Sequence, residues 1–131
     1  MLINTNVKHS LSDSAYNDRR SACEGVSELL GIKALRDVTE ADIETVVDKV
    51  SPANYQKALF VIQENERTLK AIKDNDLELL GSLIYQSHEG LSYQYHVSCD
   101  ELDFLVDQAK KNKHILGARM MGGGFGDVPL I

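Results

Sequence analysis

The chain has 131 residues, of which 43% are hydrophobic and 26% charged, and its formal net charge is -6. This composition is typical of one globular domain that can bury a core of its own. The acidic charge and the lack of a basic stripe exclude a typical nucleic-acid binder. No run of about 18 apolar residues is present, which excludes a predicted membrane span.

The first helix is predicted after a short β-like start at residues 1–5. Ser10 to Asp13 fits a capping box, in which a hydroxyl precedes a carboxylate by three residues. Apolar residues then recur at helical spacing up to Gly31, which is predicted to end the helix in a left-handed conformation. A second capping box, Thr39 to Asp42, begins the next helix, and its apolar face is predicted to comprise Ile43, Val46, Val47 and Val50.

The third helix is predicted to begin at Ser51 and Pro52, because proline suits the first helical position. Its apolar stripe is predicted to comprise Tyr55, Ala58, Leu59, Ile62, Leu69 and Ile72. After a break at Asn75 and Asp76, the fourth helix is defined by Leu77, Leu80, Leu83, Ile84 and Leu91. A capping box at Ser98 to Glu101 predicts a fifth helix, and strand-like residues follow at Ile115 and Leu116 and at 128–131. We therefore predict a mostly helical α+β chain, with about five helices and short terminal strands, in a single domain over residues 1–131.

The glycine-rich motif, GARMMGGGFG at residues 117–126, is the most informative local feature. Glycines allow positive φ angles and close approach of a ligand, and successive free N–H groups can bind an anion. The alternative is a tight bend against a packed helix. The motif lacks the GK[ST] of a Walker loop and does not match GxGxxG. Arg119 before it could hold an anion or form a structural pair.

A second candidate site lies at residues 4–20, where basic and aromatic residues cluster at a predicted strand-to-helix junction. The N-terminus of a helix favours a bound anion, and Lys8 would add a positive charge there. Tyr16, one turn into the helix, could offer its hydroxyl to a sugar. Alternatively, Tyr16 packs in the core and Lys8 is solvated.

Other common kinds of site are not indicated by the sequence. The four histidines have no metal-ligand spacing, so no metal site is predicted. No carboxylate pair or GxSxG elbow indicates acid–base or nucleophilic catalysis. The N-terminus does not match a signal peptide, and the widely separated Cys23 and Cys99 are predicted to be reduced, half-buried thiols. These features predict a cytoplasmic protein.

Three blocks in order resemble galactokinases of the GHMP kinase superfamily. TNVKHSLSDSAYNDRRSAC resembles that family's TN(S)NV(K/R)HSL and S-x-YN-x-RR-x-x-C segments, and GARMMGGGFGD resembles its third motif, GSRMTGGGFGG. Between them, the stretch from Leu79 to Ala109 resembles the family's SH and VSC-x-ELD patterns. The resemblance implies the C-terminal half of an enzyme that transfers the γ-phosphoryl group of ATP to the anomeric hydroxyl of galactose, with magnesium.

The same resemblance implies roles for particular residues. Tyr16 corresponds to a sugar-binding tyrosine, Lys8 to a basic residue near the nucleotide phosphates, and Gly122, Gly123 and Gly124 to glycines that border the active site. The family's phosphate loop and its catalytic aspartate and arginine lie in an N-terminal half that has no counterpart here. No catalytic residue and no tight binding of ATP or magnesium are therefore expected, and the chain alone is expected to be inactive.

We also expect the chain to be truncated at both ends and to self-associate through an exposed apolar face. After Gly126 it reads DVPLI where the family reads GCTINL. The string GGATGTACCATTAATC encodes Gly-Cys-Thr-Ile-Asn in one frame and Asp-Val-Pro-Leu-Ile in the next, which suggests a one-base loss. A fragment of another GHMP small-molecule kinase and a non-catalytic helical interaction module remain as alternatives.

Overall fold

The computed structural model describes residues 1–7, 13–122 and 129–130. These residues divide into two units. We call Ser12–Thr68 the helical unit, and Met1–Leu11 together with Leu69–Ile131 the glycine-motif unit. The prediction of a single domain over residues 1–131 stays a prediction.

The helical unit begins with α1, Asp13–Leu30, which ends as predicted. Gly31 has a φ angle of +68°. Its N–H donates to the carbonyl of Glu28 at 3.1 Å, and the N–H of Ile32 donates to Ser27 at 3.0 Å. This pair of bonds is a Schellman motif, which satisfies carbonyls that the helix end would leave unpaired. The capping box predicted at Ser10 lies outside the described residues.

The predicted box at Thr39 is confirmed as the start of α2, Glu40–Glu44. The Thr39 side chain accepts from the Asp42 N–H at 3.3 Å, and the Asp42 carboxylate accepts from the Thr39 N–H at 2.9 Å. The helix is only one turn long, and a 3-10 helix follows at Val47–Lys49. This change of period turns Val47 outward, so its predicted place on the apolar face is wrong, whereas Ile43 and Val46 are buried.

Helix α3, Pro52–Lys73, begins at the predicted proline, and the Ser51 hydroxyl accepts from the Asn54 N–H. Its residues up to Thr68 belong to the helical unit. One core cluster forms in this unit and comprises Val26, Leu35, Val38, Ile43, Val46, Ala58 and Ile62. The predicted stripe of α3 does not stay buried along its length, because Leu69 is 68% and Ile72 78% exposed.

The glycine-motif unit contains α4, Leu77–Tyr93, and α5, Asp100–Lys110. Asp76 caps α4 by accepting from the N–H groups of Glu78 and Leu79. At α5 the predicted box at Ser98 is wrong. Cys99 occupies the N-cap position without a side-chain bond, and Ser98 bonds elsewhere.

Strands β1, Arg119–Met120, and β2, Pro129–Leu130, pair in antiparallel fashion, with Arg119 opposite Leu130 and Met120 opposite Pro129. The predicted start strand at residues 1–5 is reduced to a single bridge at Leu2. The fold class is confirmed, because the described residues are mostly helical, with five α-helices and little strand. No helix within the described ranges has the length and apolarity needed to cross a membrane.

Candidate functional site

The glycine-rich motif is held against α4 by a direct approach of two backbones. A methyl group added to Gly81 would overlap the carbonyl group of Leu116. A methyl group added to Gly117 would lie 2.6 Å from the carbonyl oxygen of Gly81 and 3.0 Å from Cβ of Ile84. Only glycine fits at either position, because any other residue would force α4 and the segment before β1 apart. Gly117, the first glycine of the motif, is therefore needed for packing against α4. This agrees with the alternative that the motif forms a tight bend against a packed helix.

Two consecutive residues of α4 hold the two residues of β1. Arg119 donates through Nη1 to the Ser87 hydroxyl at 2.9 Å and through Nε to the Met120 carbonyl at 3.1 Å. The backbone N–H of Met120 donates to Nδ1 of His88 at 3.2 Å. Met120 and His88 are buried, at 2% and 4% exposed. Of the two alternatives for Arg119, these bonds favour the structural pair.

Asp103 on α5 anchors the other side of His88. Its Oδ1 lies 3.1 Å from Nε2 of His88 and accepts from the Ser98 hydroxyl at 2.5 Å. Its Oδ2 accepts from the Ser92 hydroxyl at 2.9 Å. The polar network thus links α4, α5 and β1, and its members come from the SH, VSC-x-ELD and glycine-rich blocks of the sequence.

The hydrogen bonds of His88 determine its protonation state. Nδ1 must carry a lone pair to accept from Met120, so the proton lies on Nε2 and is donated to Asp103. Burial lowers the pKa of His88 below its ordinary value, although Asp103 opposes this change. The histidine is therefore neutral at pH 7 and acts as a connector between a carboxylate and a backbone N–H.

The segment that leads into β1 is also fixed from α4. The hydroxyl of Tyr85 donates to the carbonyl of Ile115 at 3.4 Å. The ammonium of Lys110 lies 5.6 Å from the Tyr85 ring centre and 2.8 Å from the Glu89 carboxylate. Burial raises the pKa of the Tyr85 hydroxyl, which remains protonated and able to donate.

Gly122 is the one predicted phosphate-vicinity glycine that the structure describes. It is exposed and has a φ angle of +97°, a conformation that side chains rarely adopt. Met121 before it is 40% exposed. Gly123, Gly124 and Lys8 lie outside the described residues. The supported β1 strand thus leads directly into an exposed, glycine-dependent bend.

Tyr16, the predicted sugar-binding residue, lies in the helical unit on the first turns of α1. It is 72% exposed, so the alternative that it packs in the core is wrong. Its neighbours Arg19 and Arg20 are engaged locally. Arg19 donates to the Ala15 carbonyl at 3.1 Å, and Arg20 pairs with Glu24 at 2.7 Å. The phenol is accessible, and its role stays a prediction.

Sequence reasoning missed a charged pair in the helical unit. Lys57, 8% exposed, donates to the Asp18 carboxylate at 2.6 Å and to Asn54 at 3.5 Å. The hydrogen bond from Lys57 lowers the pKa of Asp18. The signal that could have found it is a lysine beside the apolar stripe of α3. Its alkyl stem is buried there while its ammonium reaches Asp18, which directly precedes Arg19 and Arg20.

Among the residues that the structure describes, the remaining titratable groups form no metal centre. Cys23 and Cys99 are free and half-buried, as predicted, and burial raises the pKa of both thiols. No group of three or more His, Cys, Asp or Glu side chains is placed to hold a metal ion in the described part of the chain.

Comparison with known proteins shows which family this chain is similar to. A family model described as GHMP kinases C terminal matches residues 68–128. The galactokinase of Thermotoga petrophila is 49% identical over 128 residues, which is 95% of this chain and 35% of that protein. The chain is a homologue of the C-terminal part of galactokinases. It spans about a third of the length of these relatives.

Further relatives show the same similarity to galactokinases. The galactokinase of Clostridium beijerinckii is 43% identical over 134 residues, covering 96% of this chain and 34% of that protein. The crystal structure of Lactococcus lactis galactokinase complexed with galactose superposes with a TM-score of 0.86 at 32% identity. It covers 98% of this chain and 35% of that one. The predicted family resemblance and fold class are confirmed.

Proposed function

We propose that this chain provides the C-terminal third of a galactose kinase. The observation that carries the proposal is the match to galactokinases over 95% of the chain, including one named as complexed with galactose. In the proposed reaction the anomeric hydroxyl of galactose attacks the γ-phosphorus of ATP. The bond to the β–γ bridging oxygen breaks, ADP leaves, and the hydroxyl proton is released.

The residues of this chain would position substrate and neutralise charge, which is the main task of a protein in phosphoryl transfer. Tyr16 would donate or accept a hydrogen bond with the sugar, which its exposure permits. Lys8 and the backbone of Gly122, Gly123 and Gly124 would lie near the nucleotide phosphates. The positive φ angle and exposure of Gly122 support close approach of a ligand to the main chain.

Catalytic groups and the magnesium site would come from the part of the enzyme that this chain does not match. The described residues hold no group of three metal ligands, so no magnesium ligand is assigned to them. We therefore propose that the chain alone binds neither ATP nor magnesium tightly and does not phosphorylate galactose. A cytoplasmic location is also proposed, which the free thiols of Cys23 and Cys99 support.

A chimera tests the proposal most directly. The chain replaces the corresponding C-terminal third of the Thermotoga petrophila galactokinase, and galactose 1-phosphate is measured with ATP and magnesium. We expect product from the chimera and none from the isolated chain. A folded chimera without activity would contradict the kinase proposal. Product from the isolated chain would contradict the claim that it is inactive alone.

The Tyr16→Phe variant of the chimera tests the sugar contact. Loss of one hydrogen bond of about 0.5–1.5 kcal/mol should raise KM for galactose by about twofold to tenfold. KM for ATP should not change. The matched control is Tyr93→Phe, another tyrosine that is 74% exposed and has no proposed role. Equal effects of the two variants would argue against a sugar contact at Tyr16.

Association through an apolar surface is the second candidate function. A groove of about 460 Å³ on the glycine-motif unit is lined by Leu77, Leu80, Ile84, Ile115 and Leu116, with Met1 at one side. Leu77 is 69% and Leu116 50% exposed, and contiguous apolar surface favours association. We propose that the isolated chain self-associates, and light scattering should detect dimers or larger species. A monomer at all concentrations would contradict this.

A further inference from the structure

The bond between Met120 and His88 places a titratable ring directly at the entrance to the glycine-rich motif. We propose that His88 is a positioning residue whose neutral imidazole fixes the backbone just before Gly122, and that protonation of this ring in mild acid releases it. The inference concerns the isolated chain, and only its consequence for catalysis rests on the proposed function.

Both nitrogens of the His88 ring are committed to hydrogen bonds. Met120 is 2% exposed, and its N–H donates to Nδ1 of His88 at 3.2 Å. The other ring nitrogen is committed to Asp103 at 3.1 Å. A proton can therefore be added only at Nδ1. In the imidazolium both nitrogens are donors, so the Met120 N–H would face another N–H and lose its acceptor.

The charges that face His88 come from each element packed against it. Helix α5 presents Asp103, Asp107 and Lys110, of which Lys110 pairs with Glu89 of α4. Strand β1 presents Arg119, which bonds to Ser87 next to the histidine. Burial is the largest influence and lowers the pKa of His88, while the two aspartates oppose it. The ring is neutral at pH 7 and gains its proton on the acid side of an ordinary histidine.

The effect of losing this bond should be local. β1 has only two residues, and its pairing with β2 is equally short. The bond to His88 is therefore a substantial part of what fixes Met120. Gly122, with its φ angle of +97°, follows two residues later. A shift of the Met120 backbone should therefore change the conformation of the bend at Gly122. The helical unit has its own core cluster, which contains none of these residues.

Two substitutions separate the two bonds of the ring. His88→Asn places a carbonyl oxygen where Nδ1 lies, so it retains the acceptor for Met120 and does not titrate. In His88→Gln the side-chain amide lies where Nε2 was, so the contact with Asp103 is retained. The Met120 N–H, however, has no acceptor. The experiment measures amide hydrogen-exchange protection factors of Met120, Met121 and Gly122 in the full chain at pH 7.5 and at an acidic pH at which NMR of the His88 ring shows it protonated. The amides of Val26 and Ile43 report on the helical unit.

The expected result has three parts. In the wild type, protection at Met120 falls by about twofold to tenfold as the His88 ring gains its proton, the change that one hydrogen bond produces. His88→Asn retains protection at both pH values. His88→Gln lacks it at both, with Val26 and Ile43 unchanged. A purely structural role would instead lower protection throughout the chain, and it would affect the two variants alike.

Other outcomes would overturn the inference. Equal protection in the Asn and Gln variants would show that the acceptor at Nδ1 does not position Met120. Wild-type protection at Met120 that stays constant while the His88 ring gains its proton would show that the ring does not release it. The chimera separates this failure from that of the proposed function. If the chimera phosphorylates galactose but protection at Met120 changes neither with pH nor in the His88 variants, only the positioning role is contradicted. If protection changes as expected but the chimera makes no product, only the kinase proposal is contradicted.

Discussion

In the helical unit one continuous cluster of apolar side chains forms the core, and glycine plays no packing role there. In the glycine-motif unit the apolar core is split into two small clusters, and the contacts between elements depend on glycine backbones and a buried polar network. An apolar cluster loses stability gradually as methylene groups are removed. Backbone contact and shared hydrogen bonds have no such tolerance, so the two units should respond differently to small substitutions.

The largest effect should come from Gly81→Ala. The added methyl group overlaps the Leu116 carbonyl. Moving the two backbones apart would strain the bonds that Tyr85 and Ser87 of α4 make to Ile115 and Arg119. We expect destabilisation of about 3 kcal/mol or more, at the upper end for overpacked sites. Urea unfolding followed by circular dichroism measures it.

The matched control for this variant is Gly25→Ala in α1. A methyl group there meets nothing within 4 Å. Because alanine favours a helix interior over glycine, it should stabilise the chain by about 0.5–1 kcal/mol. A Gly81→Ala protein with the wild-type urea midpoint would show that the close approach is not required.

The Asp18–Lys57 pair should respond unequally to removal of its two members. Asp18→Ala leaves a buried ammonium with only the more distant Asn54 oxygen, and we expect a cost of about 2 kcal/mol. Lys57→Met leaves a carboxylate that is 52% exposed and can be solvated, so its cost should stay within about 1 kcal/mol. Equal costs in denaturant titrations would contradict the asymmetry.

A smaller effect is expected for Ile43→Val in the helical unit. Ile43 is fully buried, and removal of one methylene group typically costs about 1 kcal/mol. The same unfolding experiment should show a shifted midpoint with an unchanged slope. A cost as large as that of Gly81→Ala would remove the contrast between the two units.

The smallest effect should be the acid dependence contributed by Asp18. Because Lys57 lowers the pKa of this carboxyl, its stabilisation is present above the ordinary pKa and is lost as pH falls through the folded value. Stability should therefore fall below about pH 4. The measurement is best made in His88→Asn, which removes the histidine contribution. Asp18→Ala in that background should flatten the profile, and an unchanged slope would contradict the assignment.

The sequence predicted most of the helices, because their starts and ends depend on local chemistry. Gly31, Thr39 and Pro52 act within one turn of where they stand, and all three occur as predicted. Burial was harder to predict. Leu69 and Ile72 continue the helical spacing of α3 and are nevertheless exposed, since periodicity shows that a helix has an apolar face and not what covers it.

Within the candidate site, the family blocks indicated the right segments but not what their residues do. Ser87 and His88 of the SH block bond to the two residues of β1, which lie 32 positions further along the chain. No local pattern reveals such a contact. Lys57 was missed for the same reason, because its partner lies 39 residues away on another helix. The roles of Tyr16, Lys8 and the glycines came from resemblance alone.

The long sequence separation of the bonds from α4 to β1 affects the order in which the chain can fold. Long loops make contact formation slow, and a nascent chain is synthesised from its N-terminus. The core of the helical unit is complete in sequence by Ile62. The contacts of α4, in contrast, cannot form until Leu116 and Met120 have been synthesised. Leu116 packs against Gly81, and Met120 bonds to His88. Until then its apolar and polar surfaces are open to chaperones or to other chains.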